Sequence, residues 1–207
     1  MKKEIKIPTW THQILSCPPP PQKFIDLALA ADPSLYKQST KYNYYKPGKD
    51  PHAVRQLTKQ GHAIEMVRIP RYVVGDEFDQ WVRENLVTEF TAATIAISHN
   101  GNGGSVGPHT DRWRNFVLIY LVQTGGDQAR TNFFQQQGYP LIRDKFAIVD
   151  DYDSLELVES FQLPLNQWVI LNGRILHTVD QIDHVRIAFQ IELLNLEEIQ
   201  KYIVEKE

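Results

Sequence analysis

The sequence predicts a mainly β domain with flanking helices, an α+β chain whose β part is a sandwich or jelly roll. Three observations carry this. From residue 91 onward, short runs rich in Val, Ile, Phe and Tyr alternate with turn residues at close spacing, the pattern of an antiparallel β domain. The run Phe116-Val-Leu-Ile-Tyr-Leu-Val-Gln123 is apolar enough for a strand buried on both faces. Before residue 91, two stretches place apolar residues at helical spacing instead. A chain of 207 residues is long enough to bury a real core as one unit. The expected plan is a helical N-terminal region over residues 1–90 packed on the sheet, a β core over 91–194 and a C-terminal helix over 195–207.

Each element has a local reason. Residues 5–15 form an opening strand interrupted by Pro8. Cys17-Pro-Pro-Pro-Pro21 is a stiff extended connector, because proline fixes φ and disfavours helix in the residue before it. A helix follows over residues 22–31, with Phe24, Leu27 and Ala28 on one face and Asp32-Pro33 ending it. Residues 37–61 are polar, basic and tyrosine-rich, either a solvated surface excursion or a lid over a binding site. Residues 77–90 are helical through Phe78, Trp81, Val82, Leu86 and Phe90. Strands are expected at 94–98, 116–123, 131–135, 146–149, 155–163, 167–171, 176–179 and 185–194. A glycine-rich turn spans residues 99–107, and the Asp cluster at 150–154 is a hairpin turn, since Asp favours turns. Asn195, with Glu198 three residues on, caps a helix to residue 206 whose buried stripe is Leu196, Ile199 and Ile203.

Composition narrows the class. The hydrophobic fraction is 42% and the charged fraction 23%, with net charge -3, so no global field draws the chain to nucleic acid or an anionic membrane. The basic run within residues 37–55 leaves a local patch as the one opening for nucleic acid. Cys17 is the sole cysteine, which permits no internal disulfide and fits a reducing compartment. The N-terminal residues are too polar for a signal peptide, and no run approaches the ~20 apolar residues of a membrane span. A soluble cytoplasmic protein is expected. Oligomeric state has no signal in the sequence.

The chemistry-bearing residues form one constellation. His109 and Asp111 are two apart, so in extended backbone they project from the same face. His177 follows in another strand-like run, after the turn Asn172-Gly173-Arg174. Two imidazoles and one carboxylate on one side of a metal leave the other side open, the ligand set of non-haem Fe(II) oxygenases. Arg186 lies inside a strand, where an unpaired guanidinium is costly, and suits an anionic cosubstrate. His184 is read as a surface group or a support to the site. Trp113 and Arg114 either line the entrance or are ordinary packing and surface charge; Arg130 is a weaker candidate for the same mouth.

The order Asn100-Gly-Asn-Gly-Gly-Ser-Val-Gly-Pro-His109-Thr-Asp111, Leu118-Ile-Tyr-Leu121, Gly173-Arg-Ile-Leu-His177-Thr-Val179 and Arg186-Ile-Ala-Phe189 resembles the Fe(II)/2-oxoglutarate-dependent dioxygenases. The likeness is strongest to the prolyl-hydroxylase-like branch and spans roughly residues 94–194. Residues 104–111 are also similar to the JmjC-type ribosomal oxygenases. The resemblance implies a double-stranded β-helix core with the metal at its mouth. It implies His109, Asp111 and His177 as iron ligands and Arg186 as partner of the distal carboxylate of 2-oxoglutarate. Tyr120 would hydrogen-bond that same carboxylate. His99 stands where relatives often place a tyrosine near the cosubstrate, and Gln190 stands where some carry a hydroxyl residue, so the pocket departs from the family pattern at both. The implied reaction consumes O2 and 2-oxoglutarate and releases succinate and CO2, with ascorbate as a supporting reductant. The substrate would be hydroxylated and would be a peptidyl residue, an amino acid or another small molecule. Two other classes fit the same residues: a cupin-type metalloenzyme that uses no 2-oxoglutarate, and a non-catalytic β-barrel binding module.

Overall fold

A computed structural model describes residues 7–30, 37–38, 55–57, 63–65, 71–98, 104–112, 114–149 and 151–204. In chain order these form β1 (His12–Ile14), α1 (Gln22–Leu29), β2 (Lys37–Gln38), β3 (Arg55–Leu57), β4 (Ala63–Glu65), β5 (Arg71–Val73), α2 (Asp76–Asn85), β6 (Ala92–Ser98) and β7 (Gly104–His109). They continue with β8 (Phe116–Thr124), β9 (Arg130–Gln136), β10 (Leu155–Phe161), β11 (Trp168–Asn172), β12 (Leu176–Ile182) and β13 (Arg186–Leu193).

Two antiparallel sheets make the body. The larger has the order β1-β11-β8-β13-β6-β5-β2 and the smaller β10-β9-β12-β7. From β6 on, the chain passes back and forth between them: β6, β8, β11 and β13 in the large sheet, β7, β9, β10 and β12 in the small one. That is a double-stranded β-helix. Among the described residues, strands β3 and β4 pair with each other as a separate two-stranded sheet.

The large sheet is buried on both faces. On one face Phe116, Leu118, Tyr120, Phe189, Ile191 and Trp168 pack with Phe24 and Ala28 of α1 and Phe78 and Val82 of α2. Phe78 joins the layers, stacking on Phe189 at 4.9 Å and meeting Phe24 edge-on at 5.0 Å. On the other face Val117, Ile119, Leu121, Val169, Leu171 and Ala188 meet Phe133 of the small sheet. Strand residues alternate between faces, so each of β8 and β13 serves two cores, and all eight residues of β13 are buried.

Several expectations shift. The helix expected over 77–90 ends at Asn85. Leu86 and Val87 are both buried, and the backbone N–H groups of Thr88 and Glu89 donate to the Glu198 carboxylate rather than back along a helix. The C-terminal helix is replaced by a turn and a short 3₁₀ segment, Gln200–Tyr202. Asn195 closes the turn ahead of that segment, accepting from Glu197 N at 3.1 Å, while the segment itself starts from Ile199 without a side-chain cap. Ile203 then pairs with Leu15 of the opening segment, which requires extended backbone and stops the helix after one turn. Residues 146–149 form a single bridge, Ile148 to His109, in place of a strand. Of the glycine-rich stretch expected as a turn, Gly104–His109 is strand β7. Residues 151–154 turn, with the Asp151 side chain accepting from Asp153 N. His99, Trp113 and most of residues 37–61 lie outside the described residues.

Candidate metal centre

The site forms where β7 ends and β12 begins. The register pairs His177 with His109 on one side and with Phe133 on the other, so three rings stand in a row on one face of the small sheet. The His109 and His177 centroids are 4.4 Å apart, and Phe133 lies 5.7 Å from His177. Asp111 follows β7 by two residues. Between the two, Thr110 is turned away and fully buried; its N–H donates to Ala147 O, and its hydroxyl accepts from Ala147 N at 2.8 Å. This strap fixes the backbone so that residues 109 and 111 share a face. Asp111 N donates to Gly173 O at 2.7 Å, and Gly173 N to Asn115 O at 2.8 Å. A Cβ on Gly173 would sit 2.3 Å from Asp111 Oδ2, so the carboxylate occupies space that only glycine leaves free.

The donor set fits a divalent metal. Ligand atoms of His109, Asp111 and His177 all lie within 4.8 Å of one another. His109 Nδ1 is 2.7 Å from Gly107 O, and His177 Nδ1 is 2.9 Å from Ile175 O. Each ring therefore carries its proton on Nδ1 and keeps the Nε2 lone pair for a ligand, as metal-binding histidines do. Asp111 Oδ2 is buried, close against Gly173 and in ion-pair contact with Arg114.

Electrostatics favour the ligating forms. Burial, then the neighbouring His177, lowers the His109 pKa to about 4 against the pull of Asp111, so the ring is neutral near pH 7. Burial on its own would raise the Asp111 carboxyl; the Arg114 guanidinium, with both histidines, outweighs it and holds the group well below the usual carboxylate range.

Arg114 is in the interior rather than at the entrance. Its Nε lies 2.7 Å from Asp111 Oδ2, its Nη2 donates to Asp111 Oδ1 at 2.9 Å, and its Nη1 donates to Glu192 Oε1 at 3.0 Å. The Arg71 guanidinium is buried nearby; burial, then Arg114, lowers its pKa to about 9 against the pull of Asp111. Glu192 had not been singled out from the sequence. Its signal was there: β13 places Arg186, Ala188, Gln190 and Glu192 on one face and Ile187, Phe189, Ile191 and Leu193 on the other, a polar stripe against an apolar one.

Arg186 lies on the polar stripe, facing the space between the sheets. Its Nη1 donates to Thr124 O at 2.8 Å, and no carboxylate pairs with it among the described residues. Burial alone lowers its pKa to about 10, so it stays charged. A Cβ on Gly125 (φ +86) would meet Arg186 Cβ at 2.8 Å and Ile182 Cγ2 at 3.0 Å, which places the base of the arginine against the small sheet. Two more buried polar atoms on this inner side, Thr131 Oγ1 and Gln190 Oε1, make no hydrogen bond among the described residues.

Tyr120 is not brought to Arg186. It belongs to the helix-side core, 5.2 Å from the Trp168 ring, while its neighbours Ile119 and Leu121 face the inter-sheet space. Alternation puts its side chain on the other face of the sheet from Arg186. His184 and Arg130 are not drawn into the cluster.

No family model and no curated protein matches the sequence. Solved structures do. An oxidoreductase of the 2OG-Fe(II) oxygenase family from Burkholderia pseudomallei matches at 10% identity and TM-score 0.39, over 62% of this chain and 61% of that one, less than two thirds of its length. A prolyl hydroxylase from Trichoplax adhaerens, solved with a hypoxia inducible factor oxygen degradation domain peptide fragment, matches at 12% identity and TM-score 0.44, over 86% and 77%. A Pseudomonas putida prolyl-4-hydroxylase matches at 13% identity and TM-score 0.38, over 89% and 92%. Likenesses of this size do not carry those proteins' activities over to this chain.

Proposed function

We propose that this protein is an Fe(II)- and 2-oxoglutarate-dependent dioxygenase that hydroxylates a small molecule, an amino acid or a peptidyl residue. One observation carries the reading. Two imidazoles, each with Nδ1 held by a backbone carbonyl, and a carboxylate open into the same inter-sheet space as a buried guanidinium that lacks a carboxylate partner among the described residues. A neutral core has no use for such a cation, whereas a dicarboxylate cosubstrate needs one.

His109, Asp111 and His177 would hold the iron, leaving positions for cosubstrate and O2. Bound iron supplies the O2-dependent oxidation, with 2-oxoglutarate converted to succinate and CO2. The chain's own residues bind and orient. Arg186 takes the distal carboxylate. Ala188, small and next on the same stripe, leaves room along β13. Gln190 and Thr131 offer polar groups to the cosubstrate's remaining oxygens. Val117, Ile119, Leu121 and Phe133 form an apolar wall that keeps water out.

The test is turnover of 2-oxoglutarate to succinate by the Fe(II)-loaded protein under O2 and ascorbate, beside Arg186→Ala. We expect slow succinate formation without added substrate, and in the variant retained metal with strongly weakened 2-oxoglutarate binding. Metal bound without any 2-oxoglutarate binding would select the second reading, a metalloenzyme of the same barrel that uses no such cosubstrate. The packing of Tyr120 favours that second reading, since the tyrosine that the resemblance implies for the distal carboxylate is turned to the helix side of β8.

A further inference from the structure

The Asp111 carboxylate is gripped by a buried group that no metal ligand set requires. Arg114 reaches both of its oxygens and is itself fixed from behind by Glu192, whose other oxygen lies 3.2 Å from the Thr91 hydroxyl, which donates to it. Nη2 donates to Oδ1 at 2.9 Å, and Nε lies 2.7 Å from Oδ2. The guanidinium fork is rigid and planar, so contact with both oxygens fixes the carboxylate plane.

We propose that Arg114 is a positioning residue, anchored by Glu192, that holds the Asp111 carboxylate in the orientation a metal would need. Without the fork the carboxylate would turn about its side-chain bonds and bind a metal less tightly and in another geometry. This deepens the metal-centre reading and rests on it. Groups behind metal ligands set ligand geometry and affinity, and their loss typically costs roughly 10–100-fold in either.

The probe is Co(II), whose ligand-field spectrum reports coordination geometry, titrated into the wild-type chain, Arg114→Lys and the double variant Arg114→Met with Glu192→Leu. Lysine keeps the charge and loses the fork. The double variant removes Arg114 together with the carboxylate behind it, so that of the three charges only Asp111 stays, where a bound metal would pair it. We expect both variants to fold, to bind Co(II) roughly 10–100-fold more weakly and to show an altered ligand-field spectrum. A merely structural role would lower the unfolding temperature and leave Co(II) affinity and spectrum as in wild type; that result overturns the proposal. Absence of Co(II) binding by the wild type overturns the metal centre itself, and this inference with it.

Discussion

Replacing Gly173 by alanine would place a methyl group 2.3 Å from Asp111 Oδ2, 2.9 Å from Asp111 Cβ and 3.0 Å from Cγ. None of these atoms can yield cheaply. Asp111 N is hydrogen-bonded to Gly173 O at 2.7 Å, Gly173 N to Asn115 O at 2.8 Å, and the carboxylate is gripped by Arg114. Backbone strain is not the cause, since Gly173 is not among the positive-φ glycines; the clash is with the Asp111 side chain, a proposed metal ligand. Overpacking of this kind costs about 1–3 kcal/mol. For a chain of this size that is a fall in unfolding temperature of roughly 2–12 °C. The displaced carboxylate should also weaken metal binding by roughly 10–100-fold, as losses of ligand support do. Calorimetric unfolding and a metal titration on the same preparation measure both. A Gly173→Ala variant with wild-type metal affinity would refute the assignment of Asp111 as a ligand held by that glycine, whatever its unfolding temperature.

Gly125→Ala should weaken 2-oxoglutarate binding and spare the metal, because its methyl meets Arg186 Cβ at 2.8 Å from a backbone at φ +86; separate titrations with cosubstrate and metal check this. Tyr120→Phe should leave 2-oxoglutarate affinity unchanged, because its ring packs against Trp168 on the helix side of the sheet. The metal-free protein should lose stability as pH falls from about 6.5 to about 4. His109 is held below its ordinary value, so over that window the unfolded chain binds the proton and the folded chain does not. The loss is at most about 3 kcal/mol, it continues in the same direction as the depressed Asp111 is protonated, and chemical denaturation across pH measures it. Phe189→Ala should cost about 3–5 kcal/mol, because that ring is fully buried and stacks on Phe78.

The parts of this fold that were legible in the sequence are those written as local pattern. Residues 109 and 111 share a face because extended backbone repeats every two residues, and the apolar run at 116–123 is a strand because nothing else buries it. What could not be read was which face each residue of that strand takes. Where both faces are buried, alternation of polar and apolar residues disappears, and with it the signal that Tyr120 faces the helices and Leu121 the site. On β13 the signal survived, since Arg186, Gln190 and Glu192 mark one side, yet the partner of Glu192 lies 78 positions away in sequence. Arg114 follows Asp111 by three residues, a spacing that says nothing until the loop is seen to fold back. The C-terminal segment carries a helical stripe and a cap, and loses the helix to a pairing between Leu15 and Ile203 that no local propensity encodes.

On the proposed reading, His109, Asp111 and His177 hold one divalent metal. Calorimetric titration of metal-free protein with Fe(II) under anaerobic conditions, beside His177→Ala with its folding verified, tests it most directly. The wild type should bind about one equivalent and the variant none. A wild type that takes up no metal, or a variant that takes it up equally well, would contradict that reading.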